Sequence, residues 1–354
     1  MFQHSRLDSD LTFFQKLKNL DYILLFSIIL LSTISVFVMY STDGGEILYH
    51  TKSHFIKLLI FFPLMLIISF FNIKFWHITS YIFYLTVIVL LIWVSIDGVK
   101  ASGSQRWIDL YFIVLQPSEL MKIAIILCLA KYYHRLKINN VNSFTNIIVA
   151  LSIITVPVTL VVSQPDLGTS ILIASSGLII LWLGGVKIKY FFISFITFLI
   201  SLPFVISFLK PYQKLRILTF LDPDRDPLGA GYQIIQSKIA IGSGGLSGKG
   251  FLKGTQSYLD FLPEKHTDFI FTLFSEEFGF VGSIGILILY IIIIARIIRI
   301  GALSRSNFAK LFCFGFAFAI FIYIVVNLSM VLGLLPIVGS PLPIMSYGGS
   351  SMLA

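Results

Sequence analysis

Apolar runs that are long enough to cross a lipid bilayer recur along almost the whole chain. A spanning helix needs ~20 predominantly apolar residues, and we predict spans at 22–40, 55–71, 78–96, 119–136, 145–163, 169–185, 188–209, 268–295 and 309–333. A tenth span is predicted to begin around Pro343 and to be cut short at Ala354. The repetition predicts an all-α polytopic membrane protein, in which residues 1–354 form a single integral membrane domain.

Composition excludes the soluble alternatives. Of the 354 residues, 57% are hydrophobic and 12% are charged, whereas a soluble domain carries roughly 25% charged residues. This excludes a cytosolic enzyme, a secreted disulfide scaffold and a disordered chain. Cys128 and Cys313 lie inside apolar runs without the spacing of a zinc or redox motif, so we expect both to be small core residues.

The distribution of charge predicts the orientation in the membrane. The net charge is +9, which in a soluble protein would raise nucleic acid as a partner. In a membrane protein, basic residues gather on the cytoplasmic side for topological reasons. Lys131, Arg135 and Arg296 follow that rule if the N-terminus is cytoplasmic, so we expect no nucleic-acid partner. Most carboxylates then fall on the outer face, which fits either a polar working surface or a merely solvated one.

The segment 210–267 is predicted to be a large periplasmic loop between spans 7 and 8. It is too long for an ordinary connection, and loops of this length are usually functional or disordered. An apolar cluster within it suits an interfacial or re-entrant helix and argues against disorder; its members are Ile234, Ile235, Ile239, Ala240 and Ile241.

The first polar motif consists of Gly103–Trp107 followed by Gln116–Lys122. Glu119 and Lys122 are three residues apart, so they share a helix face and can pair. Charges at membrane depth are costly and usually face a cavity or a partner. The motif is therefore either a socket in which Lys122 and Arg106 bind anionic substrate oxygens, or a structural ion pair. Trp107 by itself is typical of an interfacial aromatic residue.

Two further motifs fail the tests of familiar binding loops. Gly242–Gly250 lacks the Gly and the Ser or Thr that a P-loop requires. It is predicted to be a plain glycine hinge, or a flexible backbone with Lys249 that can approach a phosphate. Asp222–Pro227 has Pro227 where a calcium-binding EF-hand needs Gly, so it is predicted to be an ordinary turn.

The segment Leu262–Phe271 precedes and begins the eighth span. Thr267 or Asp268 could simply cap the helix. Alternatively, Asp268 is a general base at the outer membrane surface. Glu276 lies eight residues further on, which is ~12 Å deeper along a helix, with Glu277 beside it. Carboxylates inside a membrane are candidates for function, with a structural ion pair as the alternative.

Together these stretches resemble the SEDS family (shape, elongation, division and sporulation), from the first predicted span to Ala354. The resemblance is densest in Arg106–Trp107, Gln116–Glu119 with Lys122, Gln164–Gly168, Gly229–Gln233, Gly242–Gly250, Leu262–Phe271 and Ser346–Ser350. Lys249–Gly250 and Gly254–Gln256 are closer to the elongation branch of the family than to the division branch. The family fold is a ten-span helical bundle, so the resemblance implies that the tenth span is incomplete here.

The resemblance implies a peptidoglycan glycosyltransferase that polymerises lipid II, a disaccharide pentapeptide on undecaprenyl pyrophosphate, during cell elongation. Asp268 falls on the family's essential aspartate. It would deprotonate the acceptor 4-hydroxyl, with inversion at the donor's anomeric carbon and release of undecaprenyl pyrophosphate. The implied substrate-binding residues are Arg106, Trp107, Glu119, Lys122, Lys249, Glu276 and Glu277. The candidate cofactor is a divalent cation, Mg²⁺ or Mn²⁺, with its ligands unknown, and no organic cofactor is expected.

The resemblance also implies partners and a location. A class B penicillin-binding transpeptidase and other rod-complex membrane proteins are the expected protein partners, and lipid II is the expected substrate. The expected location is the bacterial inner membrane, with the active site facing the periplasm. Two other functions remain open on the residues alone: a flippase for lipid II, and a non-catalytic scaffold of the cell-wall elongation complex.

Overall fold

The fold is a bundle of long apolar helices with one small sheet. A computed structural model describes residues 13–101, 104–109, 114–208, 211–222, 224, 229–255, 262, 264–349 and 352. Its helices are α1 Phe13–Lys18, α2 Tyr22–Thr42, α3 Tyr49–Ser69, α4 Ile73–Asp97, α5 Pro117–Arg135, α6 Phe144–Ser163, α7 Leu167–Leu183, α8 Ile188–Phe208, α9 Pro211–Leu221, α10 Ala230–Gly244, α11 Ile270–Leu303 and α12 Asn307–Val331. The strands are β1 Val99–Ala101, β2 Ser104–Asp109 and β3 Val114–Leu115.

The prediction of an all-α polytopic membrane protein is confirmed. Among the described residues, α2, α3, α4, α6, α11 and α12 are long and apolar enough to cross a membrane, and α7 is a shorter apolar helix. Large apolar side chains such as Phe37, Ile78 and Ile291 point outward and are exposed. Since lipid tails are apolar, such side chains are stable on the outside of a membrane protein and would not be in water.

Helix boundaries differ from the predicted spans where the ends are polar or turn-forming. α3 begins at Tyr49 rather than at residue 55, because its first turns carry His50, Thr51 and Lys52, which an apolar pattern does not include. α11 continues past residue 295 through Arg296 to Leu303. The predicted tenth span does not start at Pro343, where the backbone forms a turn, and described helical backbone appears only at Gly349 and Met352.

Two large hydrophobic clusters and one small one, around Leu127, Ala130 and Phe308, form the interior of the described residues. One large cluster joins α2, α10, α11 and α12 and includes Leu31, Ile234 and Tyr290. The other large cluster joins α4, α5, α6 and α7 and includes Leu91, Ile125 and Ile180. α12 lies between them, because Ala317 packs in the first cluster and Ala319 in the second. This shared helix couples the two halves of the bundle.

Polar segments gather at one end of the bundle, where α2, α4, α6 and α12 end and α3, α5, α7 and α11 begin; we call it the loop end. The small antiparallel sheet, in the order β1-β2-β3, lies there between α4 and α5. The helical prediction did not include these strands, which are too short for an alternating pattern to stand out. β2 matters for function because it carries Arg106 and Trp107.

The helix predicted inside the long loop is present as α10. Ile234 and Ala240 are buried, and the hydroxyl of Ser237 shares a hydrogen bond of 2.8 Å with that of Thr272 in α11. The same hydroxyl donates to the carbonyl of Val331 at 2.7 Å. α10 therefore packs against α11 and the end of α12 rather than lying free on the surface.

Helix α11 is broken at Gly279, where φ is 64° and ψ is −162°. The break frees two N–H groups and two carbonyls that a continuous helix would pair. The glycine loop, which we define as residues 242–250, pairs all four. The N–H groups of Phe280 and Val281 donate to Gly245 and Leu246 at 2.9 and 3.1 Å. The backbone N–H groups of Lys249 and Gly250 donate to the backbone carbonyls of Glu276 and Glu277 at 3.0 and 2.9 Å.

This arrangement corrects the interpretation of the glycine loop as a hinge or as a phosphate-binding backbone. The N–H groups of Gly248, Lys249 and Gly250 are all occupied by carbonyls of the protein. A Cβ on Gly248 would lie 2.0 Å from the carbonyl oxygen of Glu277, so only glycine allows the two backbones to approach this closely. The loop is a fixed part of the broken helix.

Candidate active site

Asp268 lies in the turn that leads into α11 at the loop end. Its carbonyl accepts a hydrogen bond of 2.9 Å from the side chain of Asn327 in α12, which also donates to Ser340 at 2.7 Å. The helix N-cap is Phe269, so neither Thr267 nor Asp268 occupies the capping position. The Asp268 side chain is partly exposed, and its Oδ2 lies 3.5 Å from where a Cβ on Gly339 would be.

The Asp268 turn is held from the other side by Ser346 and Tyr347. The hydroxyl of Ser346 donates to the carbonyl of Thr267 at 2.7 Å, and the Tyr347 N–H donates to that of His266 at 2.8 Å. The Tyr347 hydroxyl donates to Ser53 at 3.2 Å, and the ammonium of Lys57 lies 3.8 Å from the centre of the Tyr347 ring. Two remote parts of the chain thus fix the backbone on both sides of Asp268.

A cluster of Asp43, His50 and His266 adjoins this turn. Asp43 Oδ1 lies 3.0 Å from His266 Nε2 and 3.4 Å from His50 Nδ1. Burial alone would raise the pKa of Asp43, but hydrogen bonds from the hydroxyl and N–H of Thr51 and from His266 outweigh it and lower the pKa. Burial and the nearby His50 lower the pKa of His266, against the raising effect of Asp43. The lowered pKa of His266 favours its neutral imidazole beside the Asp43 carboxylate.

A second polar cluster joins β2 to the start of α7. The guanidinium of Arg106 donates to the carbonyl of Pro165 at 2.7 Å, and its Nε lies 3.4 Å from Asp166 Oδ2. Asp166 caps α7 by accepting from the N–H and hydroxyl of Thr169 at 3.1 and 2.8 Å. The Gln116 amide donates to the same carboxylate at 3.4 Å. Asp166 thus orients Arg106, whose side chain remains 19% exposed.

Below this cluster, Glu119 and Lys122 form the ion pair that their spacing predicts. Lys122 Nζ lies 2.5 Å from Glu119 Oε2, and both side chains are buried. Tyr323 of α12 donates its hydroxyl to Glu119 at 3.1 Å, while Lys122 Nζ lies 3.7 Å from the centre of the Tyr323 ring. A buried carboxylate and ammonium need such pairing to remain charged away from water. Trp107 lies in β2 opposite Val99 and is partly exposed.

The third cluster surrounds the break in α11. Glu276 is fully buried and accepts from the ammonium of Lys249 at 2.6 Å and from the hydroxyl and N–H of Thr255 at 2.8 and 3.0 Å. The Glu277 carboxylate accepts from the hydroxyl of Ser41. The Lys249 side chain is 28% exposed, so this cation reaches the surface while Glu276 does not.

The eight residues predicted to act on the substrate therefore fall into separate clusters, all at the loop end. Each of the three cations is paired with a carboxylate, and each carboxylate is more buried than its cation; the pairs are Arg106–Asp166, Lys122–Glu119 and Lys249–Glu276. Several charged or aromatic members of these clusters were not predicted as site residues, among them Asp43, His50, Asp166, His266 and Tyr323. Asp166 and His266 lie inside quoted motifs, so their positions were a usable signal, whereas Asp43 and Tyr323 lie in no motif.

Comparison with known proteins places this geometry in a family. Residues 16–354 match the model of a family described as "Cell cycle protein", FtsW/RodA/SpoVE. The chain is 47% identical over 271 residues to the peptidoglycan glycosyltransferase MrdB of Escherichia coli, covering 76% of this chain and 73% of that protein. It is 36% identical over 343 residues to the stage V sporulation protein E of Bacillus subtilis, covering 94% and 93%.

Two solved structures have the same fold. One, titled "Structural coordination of polymerization and crosslinking by a peptidoglycan synthase complex", contains a chain that is 29% identical with a TM-score of 0.81, covering 95% of this chain and 94% of that one. The other is the rod shape determining protein RodA of Thermus thermophilus, 23% identical with a TM-score of 0.70, covering 95% and 92%.

Proposed function

The chain belongs to the FtsW/RodA/SpoVE family of cell cycle proteins, and from this premise we propose that it joins lipid II units into glycan strands during cell elongation. It is a peptidoglycan glycosyltransferase, as its relative MrdB is named. Its apolar helices make it an integral membrane protein. A lipid-linked sugar donor fits such a protein, because the lipid stays in the bilayer while the sugar reaches the loop end.

The observation that carries the proposal is the position of the Asp268 carboxylate. It is partly exposed at the loop end, on a turn whose backbone accepts hydrogen bonds from Asn327 at Asp268 and from Tyr347 at His266, two residues earlier. A general base must reach the proton that it removes and must keep its geometry while doing so. The partial exposure of Asp268 and the hydrogen bonds to its turn support it in this role, whereas Glu119 and Glu276 are buried and paired with lysines.

The proposed reaction is an inverting glycosyl transfer. The Asp268 carboxylate takes the proton of the acceptor's 4-hydroxyl, and the resulting oxygen attacks the anomeric carbon of the donor sugar. The bond from that carbon to the pyrophosphate oxygen breaks with inversion, and undecaprenyl pyrophosphate leaves with the electron pair. Negative charge therefore develops on the diphosphate, where positioned cations stabilise the transition state.

The cations differ in their access to such a leaving group. Arg106 and Lys249 are partly exposed, at 19% and 28% of their side chains, and Asp166 and Glu276 hold them in fixed positions. We assign them to the diphosphate. Lys122 is only 8% exposed, so its role is to keep Glu119 charged and to position the start of α5. Trp107, Glu119 and Glu277 remain predicted substrate-binding residues.

The partners and orientation are part of the same proposal. The solved peptidoglycan synthase complex couples polymerization with crosslinking according to its title, which supports a class B penicillin-binding transpeptidase as the partner of this chain, together with other rod-complex proteins. The basic residues Lys131, Arg135 and Arg296 lie at the end opposite the loop end. By the positive-inside rule, this supports an inner-membrane protein with a cytoplasmic N-terminus and a periplasmic active site.

The decisive experiment is polymerisation of purified lipid II by the full chain with the transpeptidase partner. Asp268→Asn keeps the size of the side chain and removes its basicity, so we expect strand formation to fall by ~100-fold or more. Glu46→Gln is the matched control, because Glu46 is an exposed carboxylate at the same end, and we expect it to be unchanged.

Normal glycan strands from Asp268→Asn would refute the assignment of the base. A second assay, movement of lipid II across liposome membranes, separates the alternative functions. A flippase would move lipid II in both the wild type and Asp268→Asn and would form no strands, whereas a scaffold would neither move lipid II nor form strands.

A further inference from the structure

Asp43, His50 and His266 offer three metal-ligand atoms at one point of the loop end. They come from three separate segments, namely the residue after α2, the first turn of α3 and the turn before α11. One ligand atom from each lies within 4.8 Å of the other two. Packing of α2, α3 and α11 brings them together, so the cluster is a product of the fold rather than of a local motif.

The distances within the cluster match those between ligands of one ion. Two donor atoms bound to a dication at ~2.1 Å lie about 3.0–3.4 Å apart. Asp43 Oδ1 lies 3.0 Å from His266 Nε2 and 3.4 Å from His50 Nδ1. The imidazole rings stack with their centres 4.0 Å apart and their planes 19° apart, and one nitrogen of each lies within 3.4 Å of the same carboxylate oxygen.

The surroundings of the cluster hold Asp43 in a ligating geometry. Its Oδ2 accepts from the N–H of Thr51 at 2.9 Å and from the hydroxyl of Thr51 at 2.6 Å, which leaves Oδ1 directed at the imidazoles. Hydrogen bonds of this kind orient the ligands in protein metal sites. The Asp43 side chain is 3% exposed, while His50 is 41% exposed. An ion could therefore enter from the His50 side and keep coordination positions open to solvent.

We propose that Asp43, His50 and His266 form a binding site for a first-row transition-metal dication, Mn²⁺ or Zn²⁺, with open coordination positions. Two imidazoles and one carboxylate suit these ions. Mg²⁺ is disfavoured, because it takes mainly oxygen ligands in near-ideal octahedra. The site refines the expectation of a divalent cation, which had no assigned ligands.

The place of the site gives it a role that rests on the proposed function. His266 is two residues before Asp268. Tyr347 connects α3 to that turn, because its hydroxyl donates to the Ser53 side chain and its N–H donates to the His266 carbonyl. A dication at this point would accept an anionic oxygen, such as one of the diphosphate, at its open positions. It would add positive charge to that of Arg106 and Lys249, since each of these cations is partly neutralised by its own carboxylate.

The test measures binding of Mn²⁺ to the full chain in detergent after removal of metals with a chelator. Electron paramagnetic resonance should report one bound Mn²⁺ per chain, and pulsed spectra should show nitrogen couplings from imidazole. Affinity should fall by ~10-fold or more in Asp43→Asn, His50→Gln and His266→Gln. Zn²⁺ should compete for the site, and Mg²⁺ should compete only weakly.

The control is the double variant His77→Gln/His134→Gln. These two histidines also face each other, with ring centres 5.3 Å apart, but at the opposite end of the bundle, so Mn²⁺ binding should be unchanged. His50→Gln decides the matter if the other variants fail to fold, because His50 is the most exposed ligand. Absence of bound Mn²⁺, or Mn²⁺ bound to the wild type without nitrogen coupling, would overturn the site. Wild-type affinity in His50→Gln would overturn it as well. No substrate is present, so the result is independent of glycosyl transfer.

Discussion

At the scale of single residues, the cations at the loop end depend on the carboxylates beneath them. Lys122 is the most buried of them, with Glu119 at 2.5 Å and the Tyr323 ring beside it. Removing one partner of a buried pair leaves an uncompensated charge in a low-dielectric interior, whereas removing both does not. A structural contribution can therefore be separated from a catalytic one by combining substitutions.

We expect Lys122→Met to lower the free energy of unfolding by about 3–5 kcal/mol, because Glu119 loses its cation. The double variant Glu119→Gln/Lys122→Met should regain most of that loss. The measurement is a denaturant titration in micelles, with lipid II polymerisation assayed in parallel. A double variant as unstable as Lys122→Met would contradict the structural role that we assign to Lys122.

Individual site residues were predictable where the relation between them is local. Glu119 and Lys122 lie three residues apart, so their pairing follows from helix geometry, and Asp268 lies in a motif of the family. Asp43 and His266 are separated by 223 positions, and their contact depends on how α2 packs against α11. Tyr323 reaches Glu119 from α12 for the same reason. Contacts of this kind come from tertiary packing, which one sequence does not encode as a spacing.

At the scale of elements, the break in α11 is the feature that shapes the site. The glycine loop pairs the four backbone groups that the break at Gly279 sets free, and it brings Lys249 onto Glu276. The loop and the helix approach so closely that side chains are excluded at two positions. A Cβ would lie 2.0 Å from the Glu277 oxygen if placed on Gly248, and 2.3 Å from the Gly248 nitrogen if placed on Gly279.

We expect Gly248→Ala to lower the free energy of unfolding by at least ~2 kcal/mol, since the added methyl group meets backbone atoms and φ is 79° at this residue. Gly242→Ala is the matched control. It lies in α10 with nothing within 4 Å of an added Cβ, and alanine is the better helix former, so stability should stay equal or rise. Thermal unfolding in detergent measures both, and equal melting temperatures for the two variants would contradict the model of the broken helix.

Elements were predictable to the extent that hydrophobicity defines them. The helices α2, α4, α6 and α12 follow the apolar runs closely, since a bilayer permits little else. The first turns of α3 were missed because His50 and Lys52 face the polar loop end rather than lipid. The break at Gly279 was missed because a glycine in an apolar run is usually tolerated, and the loop that completes it, residues 242–250, is remote in the sequence.

At the scale of the whole molecule, polar contacts also join helices at the end opposite the loop end. There the Arg296 guanidinium donates to both oxygens of Asp21, at 3.1, 2.9 and 2.7 Å. Asp21 also caps α2 through the Leu24 N–H. Burial alone would raise the pKa of Asp21, but the bonds from Arg296 and Leu24 outweigh it and lower the pKa. The pair ties the start of α2 to the far part of α11.

We expect Asp21→Asn to cost about 1 kcal/mol at pH 7, because asparagine keeps the cap but loses the charge that Arg296 binds. A carboxyl whose pKa is lowered by folding stabilises the protein above its unfolded pKa, near 3.8, and loses that contribution as the pH falls through the lower folded value. The difference between wild type and Asp21→Asn should therefore shrink below pH 4. Melting temperatures between pH 7 and pH 3 measure it, with Glu46→Gln as control. A difference that does not change with pH would argue against the ion pair.

The interlocked backbone of the glycine loop and α11 has a consequence for anyone who exchanges parts between relatives of this protein. A chimera that takes the segment between α8 and α11 from one relative and α11 from another would combine a glycine loop and a broken helix that did not evolve together. Four peptide groups could then be stranded in an oily interior, at several kcal/mol each. The exchanged segment should therefore end after Val281, so that the glycine loop and the part of α11 from Ile270 to Val281 come from the same relative.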